Sequence, residues 1–320
     1  MGDFTQVAEL TVLIVICVMA FIGNGSLFWI VTRKRELRTL LNLFVLNLAA
    51  ADMLVSFASM PLTAASIISE GWILGRTACV AFGFITIVSF ISSVMSLGMI
   101  AISRYFYIVK WQTNNTTFTI ARGTLCVVFV WLTAMALASP PLFNWAEYRY
   151  IPGKSYCFVY WQADVYYMYF MIATCFFGPL TVMAISYFRI LSFTRKHKKQ
   201  LAIIRRKHNT QETESGPPYT RSMNTLRVSA EEAKITNTLV IVVACFIFCW
   251  TPFAITMFLY VYYPHPLPRG VDFSSLLLGY ANSMFNPIFY GIRNASFRKG
   301  FKELFFKCLP CMTSQRTFPE

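Results

Sequence analysis

Seven stretches of roughly 20 or more mostly apolar residues dominate this 320-residue chain, at 8–32, 40–67, 77–108, 118–141, 165–191, 235–263 and 273–292. A helix rises about 1.5 Å per residue, so about 20 residues cross the roughly 30 Å hydrocarbon core of a bilayer. Charged residues are 13% of the chain, near half of the ~25% usual in a soluble domain, and 56% are hydrophobic. Too few charges remain to cover a water-facing surface of this size. A soluble enzyme, a disordered regulator and a disulfide-stapled secreted domain are excluded. The short alternating strands of an outer-membrane barrel are absent as well. The expected fold is all-α: a seven-helix transmembrane bundle over 8–292, preceded by a short outer segment 1–7.

The charges orient it. Of the 28 Lys and Arg, 24 fall in one set of alternating connections and the tail, and only Arg76, Arg149, Lys154 and Arg269 fall in the other. Positive residues stay cytoplasmic, so the N-terminus is expected outside and the C-terminus inside, in the plasma membrane. The net charge of +14 is then a topology signal, with no nucleic-acid partner implied. The first run ends in Thr32-Arg33-Lys34-Arg35, the mark of a spanning helix rather than a cleaved signal peptide. The basic connection 197–227, with Gly216-Pro217-Pro218 in it, reads as a long mobile loop. Residues 293–320 read as a cytoplasmic amphipathic helix and tail. Within it, 295–307 interleaves Phe297, Phe301, Phe305 and Phe306 with Arg298, Lys299, Lys302 and Lys307, as an interfacial helix does among lipid headgroups. Cys308 and Cys311 follow. They read as palmitoylation sites, with a redox or zinc pair as the alternative.

Polar residues at membrane depth are functional candidates. Asn24 lies in the first run, Asp52 in the second, Ser93 in the third, and Asn282, Ser283 and Asn286 in the seventh. Trp250 precedes a kinking Pro252, Asn286-Pro287-Ile288-Phe289-Tyr290 closes the seventh run, and Ser103-Arg104-Tyr105 closes the third. In order and spacing from Asn24 to Phe297, these motifs resemble the rhodopsin-like G-protein-coupled receptors. The second outer connection looks like that of opsins. Gly71-Trp72-Ile73-Leu74-Gly75 and 281–298 look closer to melatonin receptors.

The resemblance implies a receptor that binds an extracellular small ligand and activates heterotrimeric G proteins when the sixth helix swings outward. Arrestin and receptor kinases are implied as further partners, beside membrane lipids. It implies a disulfide between Cys79 and Cys157, a sodium site at Asp52, Ser93, Asn282, Ser283 and Asn286, and a relay through Val94, Pro179, Phe246 and Trp250. It also implies a switch in which Arg104 pairs with Glu232, with Tyr105 beside the arginine and Tyr187 and Tyr290 packing into the active state. Where the family usually carries an acid, this chain has Ser103. Read as bare residues, the polar cluster has a water-filled structural network as its alternative, and a Phe and a Trp four apart are more often a core stripe.

The pocket positions are Thr86, Cys175, Trp250 and Tyr280. Thr86 stands where amine receptors carry an aspartate, so a protonated amine has no counter-ion there. Tyr280 stands where opsins carry the retinal lysine, so no covalent retinal is expected. Cys175 replaces the histidine of melatonin receptors. A neutral or lipophilic ligand remains. The alternatives are an opsin-like protein without bound retinal and a receptor for a short peptide reaching Arg149 and Lys154. No His-Glu-x-x-His, Gly-x-Ser-x-Gly or Walker loop suggests an enzyme.

Overall fold

The computed structural model describes residues 2–110, 119–209, 219–263 and 265–307, with the side chains at 2–3, 197–198, 201–202, 204–236 and 306–307 excepted. Eight helices account for nearly all of it. We number them α1 (Gly2–Arg33), α2 (Leu40–Ile68), α3 (Gly75–Val109), α4 (Ile120–Ala138), α5 (165–209), α6 (Tyr219–Tyr262), α7 (Arg269–Arg293) and α8 (Ala295–Lys307). Six of them are long and apolar enough to cross a membrane. The exceptions are short α8 and α7, which carries Asp272, Ser275, Asn282, Ser283 and Asn286, all buried. Those polar residues lower its mean hydropathy, and α7 turns them into the bundle, where other helices replace the solvent.

Three boundaries differ from the sequence reading. The segment 1–7 is helical from Gly2 and continues into α1. α7 begins at Arg269, before the apolar run, because Arg269 and Asp272 have partners at that end of the bundle. The basic connection 197–227 is no continuous loop: α5 runs to Asn209 and α6 starts at Tyr219. Lys, Arg, Gln and Leu there have good helix propensity, so the helices outlast their apolar parts.

Prolines shape α2, α5 and α7, and Pro252 interrupts α6. Pro61 and Pro179 follow wide turns at Val55–Ser59 and Ile172–Phe177, where the ring cannot donate to the carbonyl four residues back. Pro287 lies inside α7 and deprives the Ser283 carbonyl of its usual donor. The Asn24 amide of α1 supplies one instead, at 3.0 Å. Close approach makes this work: a Cβ at Gly23 would fall 2.6 Å from the Pro287 ring.

The connection from α4 to α5 contains a two-stranded sheet. β1 (Tyr148–Ile151) and β2 (Tyr156–Val159) form an antiparallel hairpin, with Tyr148 opposite Val159 and Ile151 opposite Tyr156. Six of its eight strand residues are aromatic or β-branched, and β2 is buried throughout. The hairpin lies across one end of the bundle, tied to α3 by a Cys79–Cys157 disulfide. Gly83 of α3 makes room for the Tyr148 ring, whose hydroxyl donates to the Ala138 carbonyl at 2.7 Å. Removing the disulfide should lower stability by about 2–5 kcal/mol, because the hairpin then loses its covalent tie to α3. Thermal unfolding of Cys79→Ser in lipid nanodiscs checks this; a melting point matching the parent's would contradict it.

Candidate functional site

Asp52 is fully buried in α2. A carboxylate in such surroundings needs donors, and three converge on it. Ser93 of α3 donates at 3.1 Å, Ser283 of α7 at 2.9 Å and Asn286 of α7 at 2.7 Å. One side chain thereby joins three helices. Asn282 is buried nearby in sequence, but its carbonyl oxygen accepts no hydrogen bond among the described residues; neither does that of Asn24. The cluster is thus rich in oxygen acceptors, two of them unused. That donor set fits a hard cation, which takes carboxylate, hydroxyl and carbonyl oxygens.

Between Asp52 and the hairpin runs a column of rings. Phe158 of β2 meets Phe253 at 5.9 Å, Phe253 meets Trp250 at 5.6 Å, and Trp250 meets Phe90 at 4.6 Å and Phe246 at 6.2 Å. Beside it is a cavity of about 110 Å³. α3 contributes Ile87, Phe90 and Ile91, α5 Met171 and Cys175, α6 Trp250 and Met257, and the hairpin segment Phe158 and Trp161. No charged residue lines it. The wide turn at Ile172–Phe177 aims Ile172, Cys175 and Phe176 into this space.

The four expected pocket residues do not share one cavity. Cys175 and Trp250 line the apolar one. Thr86 and Tyr280 lie in a narrow polar cleft with Ser59 and Thr63. There Ser59 and Thr86 bond at 2.6 Å, and Thr63 and Tyr280 at 3.1 Å. Tyr156 and Cys157 of the hairpin also line that cleft.

At the opposite end Arg104 is buried, its guanidinium 5.3 Å from the Tyr107 ring centre. Tyr105 stacks edge-on against Phe106 at 5.5 Å. Tyr187 and Tyr290 are buried in one apolar cluster with Val94 and Phe246, and Tyr290 also packs on Phe297 of α8. The side chain of Glu232, and Cys308 and Cys311, lie outside the described residues.

The arrangement matches one family. The family model described as "7 transmembrane receptor (rhodopsin family)" matches residues 23–290. The chain belongs to this family. Among its relatives, a rhodopsin described as GQ-coupled from Mizuhopecten yessoensis is 28% identical over 306 residues, 92% of this chain and 60% of that protein. The 5-hydroxytryptamine receptor 4 of Cavia porcellus is 27% identical over 94% of this chain and 80% of its own length. Melatonin receptor type 1B of Rattus norvegicus is 29% identical, over 92% and 76%. In structure the receptor resembles squid rhodopsin, with a TM-score of 0.84 at 22% identity over 99% of this chain and 89% of that one.

The receptor departs from the sequence reading at its hairpin end. Arg149 remains half exposed, with Glu147 at 3.5 Å and the Tyr160 ring at 4.3 Å. Lys154, which the alternative of a peptide ligand would leave open to the outside, is buried and holds Asp272 of α7 in a short ion pair. Burial pushes the Lys154 ammonium below the usual lysine pKa, and Asp272 acts in the opposite direction. A second pair joins Arg269 of α7 to Glu9 of α1 at 2.8 Å. Sequence reading missed Asp272 and Glu9 because both stand at the margins of apolar runs, where an acid looks solvated.

Proposed function

We propose that this multi-pass membrane receptor binds an uncharged, mostly apolar small molecule from outside the cell and activates heterotrimeric G proteins. The apolar cavity beside Trp250 carries this reading, since burying an ion against uncharged walls would be costly. A ligand there touches Trp250 and Phe253, and so bears directly on the ring column. Pro252 gives α6 a flexible point within one turn of both. Motion of α6 about it would open the Arg104 end, where Tyr187 and Tyr290 are packed, and admit the G protein. In this reading the N-terminus lies outside at the plasma membrane, arrestin and receptor kinases are further partners at the cytoplasmic face, and Cys308 and Cys311 are palmitate sites.

In this reading Arg104 and Glu232 hold α3 and α6 together at rest. Ser103 supplies no carboxylate, so the pair carries the restraint unaided by the usual neighbour. A charged hydrogen bond of this kind contributes about 1–3 kcal/mol, a bias of roughly 5–150-fold. Basal nucleotide exchange on G proteins, normalised to surface expression, should rise within that range in Glu232→Ala and fall in Ser103→Asp. Arg104→Ala should abolish it. Unchanged exchange in both of the first two variants would show that the pair is not the restraint.

The cluster around Asp52 is proposed to hold sodium, with Asp52, Ser93 and Ser283 as its ligands and Asn282 as a further oxygen. The ion would brace α2, α3 and α7 and favour the resting state. Sodium chloride, compared with choline chloride, should raise the melting temperature of the parent and leave Asp52→Asn unmoved. Equal responses to the two salts in the parent would leave the cluster a purely structural network.

No covalent retinal is proposed: Tyr280 cannot form a Schiff base, and the cavity lining includes no lysine. Incubation with 11-cis retinal followed by borohydride should leave the mass of the protein unchanged. A trapped retinyl adduct would refute this.

A further inference from the structure

The contacts of Lys154 are more than those of a surface ion pair. Its ammonium donates to the Asp272 carboxylate, and lies 3.2 Å from the Asp272 carbonyl oxygen, 3.2 Å from Ser275 Oγ and 3.3 Å from Thr256 Oγ1. The Phe253 ring centre is 5.2 Å away, within the range of a cation–π contact. Asp272, Ser275 and Thr256 are each 4% exposed or less, so the walls are dry. Ser275 and Thr256 also bond to each other at 3.1 Å, which fixes both hydroxyls. Carboxylate, carbonyl, two oriented hydroxyls and an aromatic face, converging from α6 and α7, are the elements of a receptor for one ammonium group.

The surrounding chain is shaped to deliver the cation. The turn Pro152-Gly153-Lys154-Ser155 caps the hairpin, and a Cβ at Gly153 would strike the Asp272 carboxylate. Ser155 takes a left-handed conformation, φ 50°, that reverses the chain just beyond the lysine. Arg269 closes the outside by donating to the Pro152 carbonyl at 3.1 Å while held by Glu9. The hairpin tip is thus fastened to α1, α6 and α7, whereas the disulfide fastens its other side to α3.

We infer that Asp272, Ser275, Thr256 and Phe253 form a binding cage for a primary ammonium group, which the chain fills in cis with Lys154, making the hairpin tip a tethered cationic plug. The acid that α3 lacks at Thr86 is therefore present on α7, but it is already engaged. While the plug is seated, Phe158 and Trp161 stay over the apolar cavity and an external amine finds no free carboxylate there. The inference stands whether or not the receptor couples to a G protein.

Chemical rescue tests it. Lys154→Ala in the full chain, held in lipid nanodiscs, removes the three methylenes and the ammonium, a gap that n-propylammonium matches. Leaving Asp272 buried without its cation should lower the melting temperature by about 5–15 °C. Millimolar n-propylammonium should restore at least half of that loss, whereas n-propanol, its uncharged analogue, should restore none. The double variant Lys154→Ala/Asp272→Asn should not respond to either. No recovery with the ammonium, or equal recovery with the alcohol, would overturn the cage. If Lys154→Ala does not fold, the parent supplies a second readout. Acetylation of Lys154, followed by mass spectrometry, should run about tenfold slower than that of exposed Lys110, since the amine reacts only when the tip lifts. Equal rates would overturn the inference as firmly.

Discussion

In hydrocarbon, every polar group must find its partner within the protein. This constraint explains why the backbone is almost wholly helical, why α7, the least apolar of the seven bundle helices, turns its polar face inward, and why Asp52 is surrounded by Ser93, Ser283 and Asn286. It also explains the repair at Pro287, where Asn24 donates to the carbonyl that the proline abandons. Each polar device doubles as a connection between helices. The same residues that satisfy one another therefore decide which helices move together, and α2, α3 and α7 share a single carboxylate.

α6 stands apart from that arrangement. Its links to the rest are largely aromatic and apolar along the ring column, together with hydrogen bonds at the hairpin end through Thr256, the Tyr260 carbonyl and the Tyr262 hydroxyl, and the proposed Glu232 contact at the other. Packing of this kind is strong yet undirected, and it permits rotation that a hydrogen-bonded cluster would resist. The hairpin end is comparatively rigid, held by the disulfide, by Lys154–Asp272 and by Arg269–Glu9. In the proposed mechanism, motion produced by a ligand beside Trp250 would be directed toward the Arg104 end.

Much of this was legible in the sequence. Apolar length alone locates the spans, because hydrocarbon thickness leaves little freedom. Asp52, Ser93, Ser283 and Asn286 stand out since they are polar where lipid forbids it, and the structure brings them together. Asn282 stands out equally, yet makes no bond to Asp52, because position along a helix does not determine which way a side chain reaches. The hairpin and Lys154 were not legible. Outside the hydrocarbon, polar and apolar residues are both permitted, so composition no longer discriminates, and four-residue strands leave little periodic signal. The division of the pocket into an apolar cavity and a polar cleft was hidden for a related reason: it depends on where Tyr156 and Phe158 of the hairpin settle.

The central claim is that α6 moves while the hydrogen-bonded helices stay together. Pulsed electron spin resonance between labels on exposed Ile120 of α4 and exposed Asn237 of α6 reports it directly. On adding a heterotrimeric G protein and removing nucleotide, the distance distribution should shift outward by several ångströms, while a pair of labels on α2 and α3 stays fixed. An unchanged Ile120–Asn237 distance in a complex shown to have formed would contradict the claim.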